Sequence, residues 1–321
     1  MGNCTGLDRR RLLGGLGSAA LAAAAASRAG VAGAQAPSAG APGAAARPLT
    51  RAIPSSGETV PLVGLGTWIT FNVGNDAAAR ARCTAVMEAF FDAGGTMIDS
   101  SPMYASSQDV VGEGLARLGA LGRVFSAEKV WISQASRGEE QIERSRAKWG
   151  VRRFDLMQVH NLLSWQEHLP RLHEMKSAGS LRYVGITTSE GRRHAEFERV
   201  MAGERLDFVQ VSYNILDREV EARILPLAAE RGIGVIVNRP FREGRLTRAL
   251  EGQPLPEWAG EIGAGSWAQF ILKFILSHPA VTCAIPATTS ISHARENMAA
   301  ASEPLPDPAM RRRMVAWVEA L

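Results

Sequence analysis

Four side chains in this sequence are of the types that move protons, and they stand at related places. Asp99 follows directly on the apolar run 96–98, Lys129 closes the run 124–129, His160 closes the run 156–159, and Tyr104 comes five residues after Asp99. Taken singly, each has a plain structural explanation. An Asp at a strand end caps the next helix, a Lys carries its ammonium to water, and a His hydrogen-bonds within the fold. Taken together they form a general acid–base set. A phenol with an unperturbed pKa near ~10 is a reluctant acid or base at neutral pH. An adjacent ammonium favours the phenolate and lowers that pKa, and a carboxylate keeps the ammonium charged and aimed. An imidazole beside them can orient a polar bond by hydrogen bonding.

That set works only if the chain brings these run ends to one rim. Short apolar runs bounded by turn residues recur at 63–65, 96–98, 124–129, 156–159, 182–186, 208–211, 234–237 and 281–285, with helical patterns between them. Residues 77–93, 110–118 and 219–230 read as amphipathic helices, and Gly94-Gly95, Gly179 and Gly232 stand where left-handed caps are wanted. Eight strand–helix repeats predict an α/β fold, a single (β/α)8 TIM barrel over residues 49–321. The segments 49–53 and 59–62, around Pro54-Ser55-Ser56-Gly57, predict a β-hairpin that caps the barrel floor. The competing architecture, an open doubly wound sheet, usually brings a G-x-G-x-x-G turn, and residues 37–321 contain none. Chemistry in a barrel sits at the C-terminal strand ends, and neighbouring strands lie only ~5 Å apart. Asp99, Lys129 and His160 should therefore meet, with Tyr104 folding back over them.

Composition narrows the function class. Of 321 residues 46% are apolar and 21% charged, the profile of a globular domain. The net charge of +4 comes mostly from residues 1–36, where Arg9, Arg10, Arg11 and Arg28 face only Asp8. Residues 37–321 are nearly neutral, so nothing points to nucleic acid. Three cysteines exclude a disulfide scaffold, and whether Cys83 pairs with Cys283 is open. The six histidines show no metal-ligand spacing, so no metal site is expected. Asp8-Arg9-Arg10-Arg11 before the uncharged stretch 12–26, then small residues around Ala34-Gln35-Ala36, have the parts of an export signal, and the paired arginines resemble a twin-arginine signal. The expectation is therefore an export signal at 1–36, read by the twin-arginine machinery, then a flexible lead-in at 37–48. That places the protein in the periplasm, the alternative being the cytoplasm. The tail from Pro304, with Arg311-Arg312-Arg313, would cover the barrel or contact a partner.

Over residues 49–297 the chain resembles the aldo-keto reductases. The resemblance rests on Gly64-Leu65-Gly66-Thr67-Trp68, Ile98-Asp99-Ser100-Ser101-Pro102-Met103-Tyr104, Lys129, Asp155-Leu156-Met157-Gln158-Val159-His160, Val184-Gly185-Ile186-Thr187, Gln210-Val211-Ser212-Tyr213-Asn214 and Arg295-Glu296-Asn297. It implies hydride transfer between a nicotinamide cofactor and a small aldehyde or ketone. The catalytic tetrad maps to Asp99, Tyr104, Lys129 and His160. Tyr104 would be the acid/base, Lys129 would tune it, Asp99 would hold Lys129, and His160 would orient the carbonyl.

The resemblance also implies cofactor contacts. Gly66, Thr67, Trp68 and Asp99 would line the cofactor groove, Tyr213 would be the shelf for the nicotinamide ring, and Gln210 with Thr187 and Thr188 would hold its carboxamide. Arg239, Pro240 and Phe241 end the seventh strand, where Arg239 would place a cation near the pyrophosphate or the substrate. Thr288, Thr289, His293, Glu296 and Asn297 would serve the adenosine end. There Ala287 and His293 stand where the family often has the Lys and Arg that clamp a 2′-phosphate. The cofactor implied is NADP(H), with NAD(H) as the alternative. Trp68, Met103, Tyr104, Trp131 and His160 would wall the substrate mouth. A different class of reading keeps the barrel and its cofactor but makes it a redox sensor or partner subunit outside the cytoplasm, with little turnover.

Overall fold

The computed structural model describes residues 47–321. The expected export signal and the lead-in up to residue 46 lie outside the described residues. Pro48, the last residue of that lead-in, packs within 2.7 Å of where a Cβ on Gly94 would stand, and Leu49 N donates to Ala301 O at 2.8 Å. The chain is thus already anchored at 48–49.

Strands β1 (Thr50–Ala52) and β2 (Thr59–Pro61) pair antiparallel as the predicted hairpin. Eight parallel strands follow in consecutive order: β3 (Leu65–Gly66), β4 (Met97–Asp99), β5 (Phe125–Val130), β6 (Phe154–Val159), β7 (Leu181–Thr187), β8 (Phe208–Ser212), β9 (Gly234–Asn238) and β10 (Val281–Ala284). β10 closes back on the start of β3: Gly64 N donates to Ala284 O at 2.8 Å, Ala284 N to Leu62 O at 2.8 Å, and Gly66 N to Pro286 O at 3.0 Å. Closure removes both sheet edges, so every strand is paired on both sides. The glycines at this seam are required, because a Cβ on Gly66 would stand 2.6 Å from Ile285 O.

Helices α1 (Ala77–Asp92), α2 (Ser107–Arg117), α3 (Gly138–Trp149), α4 (Trp165–Ser177), α5 (His194–Gly203), α6 (Ile224–Arg231), α7 (Arg245–Ala249), α8 (Trp267–Leu276), α9 (Ile291–Ala299) and α10 (Pro308–Glu319) complete the fold. Local chemistry sets several ends. Asp76 caps α1 by accepting from Ala79 N, Ser290 caps α9 by accepting from His293 N, and Gly232 ends α6 in the left-handed region at φ +64°. The predicted helix 219–230 is broken, with a single 3-10 turn at Glu219–Glu221 preceding α6.

Strand alternation sorts the core into two layers. Met97, Phe125, Leu156, Tyr183, Phe208, Ile236 and Cys283 fill the barrel interior, and Ile53 and Val60 of the hairpin plug its floor. The larger cluster, including Trp149, Phe154, Phe197 and Phe270, lies between barrel and helices. Cys83 of α1 belongs to that outer layer and Cys283 to the interior, and both are free thiols. The tail does cover the barrel flank: Arg311 of α10 donates to Ser277 Oγ at 2.8 Å and to the Tyr213 hydroxyl at 2.6 Å.

Candidate active site

Asp99 ends β4 with its side chain turned into the barrel mouth, where Lys129 of β5 meets it. Lys129 Nζ donates to Asp99 Oδ1 at 2.5 Å and to Ser100 O at 2.7 Å, and neither Asp99 nor Lys129 is more than 2% exposed. The other carboxylate oxygen, Oδ2, accepts from Gln210 Nε2 at 2.9 Å and Gln158 Nε2 at 3.3 Å. Thr67 Oγ1 ties the loop after β3 to this point by donating to Asp99 O at 2.8 Å. An ion pair this deep is expensive to desolvate, and the bonds to Ser100 O and from Gln158 and Gln210 offset part of that cost.

Tyr104 ends a 3-10 turn, Pro102–Tyr104, that folds back over the pair. Its ring meets Trp68 edge-on at 5.0 Å and His160 at 5.8 Å between centroids, and Lys129 Nζ lies 4.9 Å from the ring centre. The four residues read from the sequence therefore do converge. Their electrostatics differ from expectation in one respect. Burial raises the phenol and outweighs the lowering by the Lys129 ammonium, so the Tyr104 pKa is pushed up to about 12 rather than lowered. Burial also opposes the Lys129 ammonium, but the charges of Asp99, Tyr104 and Glu128 overcome it and hold its pKa above the ordinary lysine value. Burial, reinforced by the Lys129 charge, holds His160 well below its usual pKa, so its imidazole is neutral.

An open cavity of about 1300 Å3 lies over this cluster at the C-terminal ends of the strands. Gly66, Thr67, Trp68, Asp99, Met103, Tyr104, His160, Thr187, Gln210, Arg239, Pro240 and Phe241 line it, all of them anticipated. Unanticipated are Ile69, Asn161, Ser189, Glu190, Arg192, Asn238 and Glu243. Arg239 is not a free cation for an anionic group: it is paired with Glu190 at 2.8 Å and with Glu243.

The family model described as "Aldo/keto reductase family" matches residues 62–314. The chain belongs to that family. Among curated proteins it is 28% identical to a methylglyoxal reductase of Escherichia coli over 248 residues, covering 75% of this chain and 85% of that protein. It is 26% identical to an NADH-specific methylglyoxal reductase of the same species, covering 62% of this chain and 69% of that protein. An aldo/keto reductase from Klebsiella pneumoniae, solved in complex with NADP and acetate, superposes with a TM-score of 0.69 at 26% identity, covering 82% of this chain and 93% of that one.

Several expected contacts of this aldo/keto reductase lie elsewhere. Tyr213 is not a shelf for a ring in the cavity. Gln210 and Ser212 point into the barrel mouth, so the next residue points outward. Tyr213 is fully buried against Phe274 and His278, and its hydroxyl donates to Glu221 and accepts from Arg311. It holds α10 to the barrel. Tyr213→Phe is accordingly expected to lower stability by about 1–2 kcal/mol, since Glu221 and Arg311 keep each other at 2.9 Å, and to leave cofactor affinity unchanged. Chemical denaturation and a cofactor titration check the two halves separately.

Thr188 does not line the cavity either; Thr188 Oγ1 donates to Arg192 O at 2.5 Å and its carbonyl accepts from Asn238 Nδ2 at 3.0 Å, so it shapes the loop after β7. Trp131 stands exposed beside the mouth, its ring 6.4 Å from that of His160. The cavity lining stops at Ala287. Beyond it Thr288 accepts from Ser290 N, Thr289 borders a separate surface hollow with Arg82, His293 is exposed and Glu296 half-buried on α9, and Asn297 is buried there. The phosphate-end set thus lies outside the cavity that holds the tetrad.

Glu128 had no sequence signal beyond its place before Lys129. It points outward from β5, wholly buried, and accepts from Gln108 Nε2 at 2.9 Å, Trp149 Nε1 at 2.8 Å and Lys129 N at 2.8 Å. Burial pushes its carboxyl up to about 7 against those donors.

Proposed function

We propose that the chain catalyses reduction of small aldehydes or ketones to alcohols at the expense of a reduced nicotinamide cofactor, with Tyr104 as the proton donor. The observation that carries this reading is the convergence of Tyr104, the buried Lys129–Asp99 pair and a neutral His160 on one cavity.

The donor set suits a nicotinamide. Gln210, Ser189 and Asn161 line the cavity and carry amide and hydroxyl groups. When bound, the reduced cofactor supplies the hydride. The chain's own residues do the rest. Tyr104 gives its hydroxyl proton to the carbonyl oxygen as negative charge develops there, and the phenolate left behind faces the Lys129 ammonium. Asp99 keeps that ammonium charged and in place, and its bonds to Gln158 and Gln210 fix the carboxylate in turn. His160, uncharged, hydrogen-bonds the carbonyl oxygen without competing for the proton. NADP(H) is the cofactor proposed. The Klebsiella relative solved with NADP supports it, and the missing lysine at Ala287 favours NAD(H) as the second reading.

Two measurements test the proposal. Turnover of NADPH and NADH against a panel of aldehydes that includes methylglyoxal should reveal carbonyl-dependent oxidation, with NADPH preferred; no turnover with any member would sink it. The pH profile supplies the second. A phenol with its pKa near 12 stays protonated from about pH 6 to about pH 9, so the rate of reduction should be flat there. Alcohol oxidation needs the phenolate, and its rate should rise about tenfold per pH unit over the same range. A reduction rate that falls with a midpoint near pH 7 would contradict the assignment.

The arginines at 9–11 support export in the folded state, a route by which the protein could leave with its cofactor already bound. Fractionation of cells expressing the full chain, with the N-terminus of the mature protein read by mass spectrometry, decides between the periplasm and the cytoplasm.

A further inference from the structure

One buried hydroxyl beside the tetrad has hydrogen-bonding possibilities limited enough to fix a proton on its neighbour. Ser101 opens the 3-10 turn that carries Tyr104. Its Oγ accepts from Met103 N at 3.2 Å, the bond that caps the turn. The same Oγ lies 2.9 Å from His160 Nδ1, and Ser101 and His160 are 0% and 5% exposed. A serine hydroxyl offers one proton and two lone pairs. Met103 N–H has only a hydrogen to give, so it takes a lone pair. The Ser101 proton then needs an acceptor, and among the described residues His160 Nδ1 is the partner within reach. Turning the bond round would make Nδ1 the donor and leave a buried serine proton without an acceptor, an arrangement native interiors avoid.

We infer that Ser101 is a positioning residue that fixes His160 in the tautomer bearing its proton on Nε2, so that the imidazole presents a donor to the substrate carbonyl oxygen. The imidazole is neutral because burial and the Lys129 charge disfavour protonation, so it has a single N–H and the side on which that proton sits decides what it can do. With Nε2–H outward, His160 and Tyr104 both donate to the carbonyl oxygen. With Nδ1–H it would turn a lone pair toward that oxygen and repel it. Because Ser101 also caps the turn that ends in Tyr104, one side chain sets the proton donor's backbone and the imidazole's polarity together. The catalytic consequence rests on the carbonyl-reducing function proposed above, but the tautomer does not.

The test combines a spectroscopic and a kinetic readout. In the full chain with 15N-labelled histidine, the His160 signals, assigned by their loss in His160→Gln, should show Nδ1 unprotonated and Nε2 protonated near neutral pH. Nδ1–H in the wild type overturns the inference, whether or not the enzyme turns over any carbonyl tried. Ser101→Ala should shift the tautomer toward a mixture. It should also lower kcat by about tenfold or more, part of the effect of losing a donor to a developing oxyanion, with cofactor affinity kept. Ser101→Thr, which keeps the hydroxyl, should restore both. An alanine variant with unchanged tautomer and unchanged kcat would overturn it as well.

Discussion

Tyr104→Phe is expected to lower kcat for carbonyl reduction by about two to four orders of magnitude while leaving cofactor affinity close to wild type. The substitution removes one hydroxyl and keeps the ring, which meets Trp68 at 5.0 Å and His160 at 5.8 Å, so the cavity wall survives. What is lost is the only phenol among the cavity-lining residues. A carbonyl that accepts hydride without a proton must carry a full negative charge, and His160 alone can offset it only by a hydrogen bond. Steady-state kinetics give kcat and KM, and quenching of protein fluorescence by cofactor gives binding. Near-full turnover in this variant would remove Tyr104 from the mechanism.

Lys129→Met should be costly in two ways at once. It deletes the cation from a pair that is almost wholly buried and leaves the Asp99 carboxylate facing only the amides of Gln158 and Gln210. Breaking such a pair from one side costs about 3–5 kcal/mol, because the remaining charge is buried without compensation. Chemical denaturation of the variant beside wild type measures this loss. The double variant Asp99→Asn/Lys129→Met should recover part of the stability and none of the activity, which separates the fold's need for the pair from the chemistry's. A single variant as stable as wild type would mean the pair is better solvated than its geometry indicates.

Much of the site was legible because of where barrels put chemistry. Asp99 ends β4, Lys129 stands one residue before the end of β5 and His160 directly follows β6, and these strands are adjacent in the closed sheet, so sequence order became spatial order. The hairpin was legible for a similar local reason, since turn residues at 54–57 separate two short segments that can pair only with each other. Tyr213 was not, because its assignment needed the side-chain parity of β8. Gln210 and Ser212 point into the mouth, and a one-residue step reverses the direction, so an aromatic at a strand end is as readily a buried anchor as a shelf. Thr288 to Asn297 lie outside the cavity that holds the tetrad, since the chain after a strand can leave the cavity that the strand end borders.

The sequence by itself determined the eightfold alternation, the closed-barrel class, the family and the four residues at the mouth. These follow from periodicity, strand-end position and the order of short motifs, all of which are local in the chain. Only the tertiary structure decided how those residues behave. Burial, not the nearby ammonium, sets the Tyr104 phenol, pushing its pKa up to about 12. Arg239 is neutralised by Glu190 and Glu243. Glu128 is sealed behind Lys129, and Ser101 reaches His160 across 59 positions of sequence. Desolvation and long-range hydrogen bonding depend on which atoms exclude water from a point, and that is a property of the packed molecule rather than of any segment.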